Sequence, residues 1–196
     1  KARLNDAILT RATLAEAVLV SADAVGADCS HADFTEARLH MADFSSADLS
    51  HARLTRARLS KAQLGGADLV DVIAAHADLS DANLDLADCS RADLSRAFLQ
   101  RASLLETNLT WVNLRDANLS EAILLRANLT SADCSRAILR GAKLGTAILR
   151  DTNFSGASLR DSDLPDEARP YVVLVDTTLP DGTVYTFKLH PGVKWH

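Results

Sequence analysis

Residues 42–64 read ADFSSADLSHARLTRARLSKAQL, and every fifth residue is of one kind. Phe44, Leu49, Leu54, Leu59 and Leu64 are bulky and apolar, and two places before each stands an alanine. Followed outward, the step of five runs from Leu4 to Leu164 without a slip, and 25 of its 33 positions are Leu. The others are Phe34, Phe44, Phe154, Cys29, Cys89, Cys134, Ala24 and Ala74. Two places earlier, starting at Ala2, 28 of 33 positions are Ala, with Val72, Thr107, Val112, Thr152 and Ser162 as exceptions. A period of five fits neither a helix face of 3.6 nor a strand alternation of two. Two inward residues in every five describe a chain that turns a corner after each short side. Four sides close a square coil of about 20 residues, and coils stack as parallel ladders about 4.8 Å apart. A column of buried Leu, at about 1.5–3 kcal/mol each, offsets the chain entropy.

The unit A(D/N)Lxx is seen at Ala32-Asp33-Phe34, Ala47-Asp48-Leu49, Ala82-Asn83-Leu84 and Ala127-Asn128-Leu129. It resembles the pentapeptide-repeat family over residues 1–164. The resemblance implies an all-β fold, a right-handed quadrilateral parallel β-helix, as a solenoid of about eight coils. It also implies function through protein–protein interaction, although a fold does not fix an activity. Leu179-Pro180-Asp181-Gly182 resembles the ends of several cyanobacterial members.

Residues 165–196 read differently. All four prolines fall there (Pro165, Pro170, Pro180, Pro191), with both tyrosines, Phe187 and Trp195. Residues 171–175 and 183–189 have strand composition, and Pro180-Asp181-Gly182 is a turn signal between them. The expectation is a cap of two short extended segments over the open coil end. Tyr171, Val173, Val175, Val184, Phe187 and Trp195 are the bulky residues expected to cover Leu144, Leu149, Phe154 and Leu159.

Composition narrows the function. Apolar residues are 47% and charged residues 24%, which suits a globular chain. A net charge of -5 is too mild for direct nucleic-acid binding by bulk charge. No apolar stretch approaches the roughly 18 residues of a membrane span. Cytoplasm is the favoured compartment. The chain opens on Lys1 rather than methionine, which leaves an exported or lumenal home open. Three cysteines, Cys29, Cys89 and Cys134, sit at inward positions and read as small apolar filler. His31 and His51, 20 residues apart, stack on one side but lack a fixed third ligand for a metal. No nucleophile, acid–base pair or phosphate loop stands out, so neither catalytic residues nor a cofactor are expected.

Sorting residues by coil gives surfaces. Asp28, Asp48, Asp68 and Asp88 share one outward register, continued by Asn108 and Asn128. Arg56, His76, Arg96, Asp116 and Arg136 share another, with Arg38, Arg58, Lys61 and Arg101 on the side after it. Leu86, Leu105, Ile123 and Leu125 are apolar at outward positions on one side, with Trp111 on the adjacent side, a candidate interaction patch. Ile8, Val18, Val20 and Val25 are outward near the start. The first functional expectation is a non-catalytic scaffold for an unidentified protein partner, with a homodimer through a solenoid end as a further option. The alternative is a DNA mimic acting on a type II topoisomerase, an activity that the resemblance makes available. Against it, the repeat holds 22 acids but also 18 bases, and its unbroken register leaves no projecting loops.

Overall fold

The structure is a computed structural model in which residues 2–186 are described. Parallel bridges link residue i to residue i+20 along the chain, as in Asp28↔Asp48↔Asp68↔Asp88↔Asn108↔Asn128. Each coil therefore has four sides of five residues, and each side contributes a single bridged residue rather than a long strand. The inward Leu, Phe and Cys columns and the Ala columns are buried from Ala22 onward, except for the half-buried Ala147. Phe34 and Phe44 meet edge-on inside, with ring centroids 5.8 Å apart.

In a repeat unit such as residues 27–31 every amide has a destination, which explains the unit's chemistry. Ala27 N–H closes the corner onto the Ala24 carbonyl at 3.1 Å. Asp28 N–H bonds back to Ala7, while Cys29 and His31 N–H bond forward to Asp48 and Ser50. The fifth amide, of Ser30, donates to Asp28 Oδ1 at 3.0 Å. The Asp or Asn before the inward residue thus satisfies the one amide the ladder leaves over. The same bond recurs from Ser45 to Asp43, Ser90 to Asp88 and Ser120 to Asn118.

The corner is a turn with φ positive at its third residue alone, the type II pattern. Those residues are mostly not glycine: 28 non-glycine positions have positive φ, among them Arg56, Leu86 and Trp111. The left-handed conformation costs about 1 kcal/mol or more at such a residue, less than the burial of a Leu returns. Three threonines at the Ala position bury their hydroxyls by donating to a carbonyl of the coil below. The pairs are Thr107 to Leu84 at 2.7 Å, Thr152 to Leu129 at 2.8 Å and Thr177 to Phe154 at 2.7 Å.

The ladder does not end at Leu164. The chain leaves it as a 3₁₀ helix, Asp166–Tyr171, and returns. Strand β1 (Thr152–Asn153) pairs in parallel with β2 (Val172–Val173), and Ser158 bridges Thr178. Strand β3 (Thr177–Thr178) pairs antiparallel with β4 (Val184–Tyr185) across a turn at Pro180–Gly182. The expected turn is present and each of the two expected segments contains a short strand, but the two do not pair with each other, because Val172–Val173 continue the coil. The covering residues also differ. Leu174 and Leu179 are buried over the last full coil, and Leu144, Leu149, Phe154 and Leu159 lie buried beneath this end. Tyr171, Val173, Val175 and Val184, expected as the cover, are exposed. The reason is register: Val172, Leu174, Thr177 and Leu179 keep the step of five, so their neighbours face out. Phe187 and Trp195, and the end of the expected strand 183–189, lie outside the described residues.

Candidate interaction surfaces

The four corners form columns along the rod. Five ion pairs climb these columns with an acid in one coil and an arginine 20 residues later, while Arg96–Asp116 runs the other way. Asp71–Arg91 at 2.7 Å, Asp81–Arg101 at 2.8 Å and Asp116–Arg136 at 2.7 Å are supplemented by Glu36–Arg56 and Glu106–Arg126. The Arg91 guanidinium holds the Asp71 carboxyl below the usual carboxylate range, and Arg101 and Arg136 do the same for Asp81 and Asp116. Arg56, Arg96 and Arg136 thus face acids, Arg96 reaching Asp116 at 3.9 Å. Arg38 and Arg58, bridged to each other, form no ion pair among the described residues.

Asp28, Asp48, Asp68 and Asp88 stand in one ladder. Each turns Oδ1 onto the amide two residues on: Ser30, Ser50, Val70 and Ser90. Hydrogen bonds from the Ser30 and Thr10 hydroxyls lower the pKa of Asp28. At the top of the ladder Asn108 Nδ2 donates to Asp88 Oδ1 at 3.0 Å. These carboxylates are engaged in turns, and a Ser stands two residues after three of the four.

Leu86 is 65% exposed at its corner, Ile123 is exposed, and Leu105 and Leu125 are half-buried. Leu86 N–H donates to the Leu105 carbonyl and Glu106 N–H to that of Leu125. The three leucines are thereby stacked in successive coils. Trp111 is 68% exposed at the next corner, one side away from them. At that corner His31 and His51 stack with centroids 4.8 Å apart and planes 7° from parallel, and His51 Nδ1 lies 3.9 Å from Asp71.

Cys29, Cys89 and Cys134 are buried and free. Burial, then the nearby Asp28 and Asp48, pushes the Cys29 thiol up to about 12. Burial likewise raises Cys89 and Cys134, so all three are neutral thiols. Among the described residues no group of three or more His, Cys, Asp or Glu is placed to hold a metal ion. No helix among them is long and apolar enough to cross a membrane.

One arrangement was not anticipated. The prolines Pro165, Pro170 and Pro180 all occupy the first central position of an in-step corner, where proline's φ is already correct. What departs from the pattern is the pair between the first two. Glu167 stands at the Ala position and Arg169 at the Leu position. Two charges at inward positions would be buried without partners. The chain leaves the ladder there, and a groove opens between Gly145–Asp151 and Pro165–Val173. Counting the step of five past Leu164 was the signal that would have found both the rejoined coil and this opening.

The chain matches the family profile of pentapeptide repeats in 8 copies lying within residues 12–166. HetL, a pentapeptide repeat protein involved in heterocyst differentiation regulation in the cyanobacterium Nostoc sp. strain PCC 7120, has a similar structure. It is 32% identical, with 94% of this chain and 92% of HetL covered and a TM-score of 0.50. QnrB1, a plasmid-mediated fluoroquinolone resistance protein, is 23% identical with 91% and 87% covered and a TM-score of 0.51. The thylakoid-lumen pentapeptide repeat protein AT2G44920 of Arabidopsis thaliana is 28% identical over 74% of this chain and 72% of its own, with a TM-score of 0.29. No curated protein matches the chain. Proteins of this kind fold as right-handed quadrilateral β-helices and are generally non-catalytic scaffolds. The profile match, the ladder of i to i+20 bridges and the inward Leu and Ala columns agree: the chain belongs to the pentapeptide repeat family.

Proposed function

We propose that this protein is a non-catalytic scaffold that holds a protein partner against one edge of its rod. The observation that carries the reading is the stack of Leu86, Leu105 and Leu125 with Ile123. It groups apolar side chains on a surface that is mostly polar or charged, and neither Leu86 nor Ile123 is buried within the chain. Apolar side chains grouped on a rigid surface are the usual centre of a protein interface. Trp111 extends this surface around the corner. HetL, described as involved in regulating heterocyst differentiation, supports a regulatory setting for such a scaffold. Among the described residues the interior is filled by Leu and Ala side chains, which suits a scaffold.

The test is an affinity capture with the wild type and with Leu86→Asp/Ile123→Asp, both exposed positions that the fold tolerates. A partner retained by the wild type and lost by the variant, at equal melting temperature, is the expected result. An identical set of retained proteins overturns the assignment. The DNA-mimic alternative is disfavoured by the arginines that answer the acids along the corners. Inhibition of gyrase supercoiling by the purified protein would reverse that preference.

A further inference from the structure

One side of the rod changes character along its length. Its bridged residues run Arg38↔Arg58↔Asp78↔Phe98 through four successive coils. Arg38 and Arg58 are exposed, and so is Lys61 at the adjoining corner. Among the described residues none of the three forms an ion pair. The neighbouring acids are engaged elsewhere. Asp78 turns Oδ1 onto the Ser80 amide at 3.1 Å, and Asp81 accepts two bonds from Arg101 at 2.8 Å. Glu36, at the opposite corner, pairs with Arg56. Two coils above Arg58 the charge gives way to a hollow of about 400 Å³ lined by Asp78, Ser80, Phe98, Gln100 and Arg101. Phe98 is 48% exposed there. Gln100 Oε1 is buried with no hydrogen-bond partner among the described residues, and an incoming backbone amide is the donor it lacks.

We propose that this side binds an extended acidic segment of a partner protein, with carboxylates on Arg38 and Arg58 and an apolar side chain in the hollow at Phe98. Charge is the first argument. Two guanidiniums one coil apart repel across about 4.8 Å, and carboxylates laid over them turn that repulsion into attraction. Lys61, at the corner next to Arg58, adds a third positive charge. Spacing is the second argument. At about 4.8 Å per coil, Arg58 lies about 5 Å and Phe98 about 14 Å along the rod from Arg38. In an extended chain alternate residues face one way and rise about 6.8 Å per pair, so residues p, p+2 and p+4 fall at about 0, 7 and 14 Å. An acid at p, an acid at p+2 and a Leu or Phe at p+4 thus match Arg38, Arg58 and Phe98 in turn. Shape is the third argument, since the unbroken register makes this side a straight strip without a projecting loop. The proposal does not rest on the surface at Leu86, and either can fail alone.

The test selects a random dodecapeptide library on the immobilised full chain at low salt. The expected result is enrichment of Asp or Glu at p and p+2 ahead of Leu or Phe at p+4. A fluorescein-labelled copy of the most enriched peptide then binds the chain with an affinity that falls as salt rises. Arg38→Glu/Arg58→Glu weakens it at least about tenfold, and Phe98→Ser weakens it while leaving the salt dependence in place. All three positions are exposed, and equal melting temperatures check that the variants fold. Should the charge reversal lower the melting temperature, Arg38→Gln/Arg58→Gln gives the same readout. Leu86→Asp/Ile123→Asp binds the peptide like the wild type. No acidic enrichment, or equal binding by the charge-altered variants, overturns the proposal. So does loss of binding in Leu86→Asp/Ile123→Asp alone, which would move the peptide to the other surface.

Discussion

Two stretches near the end of the chain face the same problem and solve it differently. Residues 172–181 and residues 165–169 are equally in step with the repeat, and both carry prolines at or beside a permitted corner. The first places Val172, Leu174, Thr177 and Leu179 inward and stays in the ladder. The second would place Glu167 and Arg169 inward and leaves it as a 3₁₀ helix. The coil therefore depends on two side chains per side and tolerates nearly anything elsewhere. Departure from the ladder on one side does not prevent the next side from rejoining.

The largest expected effect comes from imposing the second situation on the middle of the first. Leu99→Asp puts an unpaired carboxylate where exposure is 0%. It should destabilise the rod by more than about 4 kcal/mol, read as loss of cooperative melting. Melting like the wild type would refute the dependence on inward residues. The converse change, Glu167→Ala/Arg169→Leu, should draw residues 165–169 into the ladder. A gain of about 1–3 kcal/mol in chemical denaturation is expected, from burial of one Leu. No gain would show that Pro165 and Pro170, rather than the charges, open that side.

Smaller effects test the hydrogen-bond and charge terms. Asn118→Ala removes the acceptor for the Ser120 amide and should cost about 1 kcal/mol. Ile138→Ala, one coil away on the same side and without such a bond, should cost less. The Asp71, Asp81 and Asp116 carboxyls titrate lower in the folded chain than in the unfolded one. Their contribution is present above the ordinary carboxylate pKa and is lost as pH falls through the folded value. Melting temperature should fall on acidification towards pH 3, and Arg91→Gln/Arg101→Gln should flatten that fall. Cys29 has the opposite sign. Its raised pKa keeps the buried thiol neutral, so stability declines once the unfolded thiol ionises above about pH 8.5. All three thiols should resist Ellman's reagent until the chain unfolds.

Most of the coil was legible in the sequence because its signal repeats. A single Ala-x-Leu means little, whereas 33 in register admit one geometry. The inward column, the stacking of His31 on His51 and the ladder from Asp28 to Asp88 all follow from arithmetic on that step. The tail was less legible because composition was allowed to outweigh register. Prolines and aromatics marked residues 165–196 as a different object, yet Leu174 and Leu179 never left the step of five. The edge contact between Phe34 and Phe44 was hidden for another reason. They belong to different sides, and sorting by side shows stacking along the rod but not meeting across it. The candidate patch was visible as apolar letters in outward places. The groove was not, since it arises from a segment that departs.

The left-handed corner residues carry a consequence for how such a protein changes over time. Each corner asks its third residue for a backbone shape and asks almost nothing of its side chain, so Arg, His, Trp, Leu and Asp all serve. The rod is therefore a ruled page: four margins, one writable letter every 4.8 Å or so, and a binding that holds whatever is written. New partners can be acquired by rewriting a margin while the core text is left untouched.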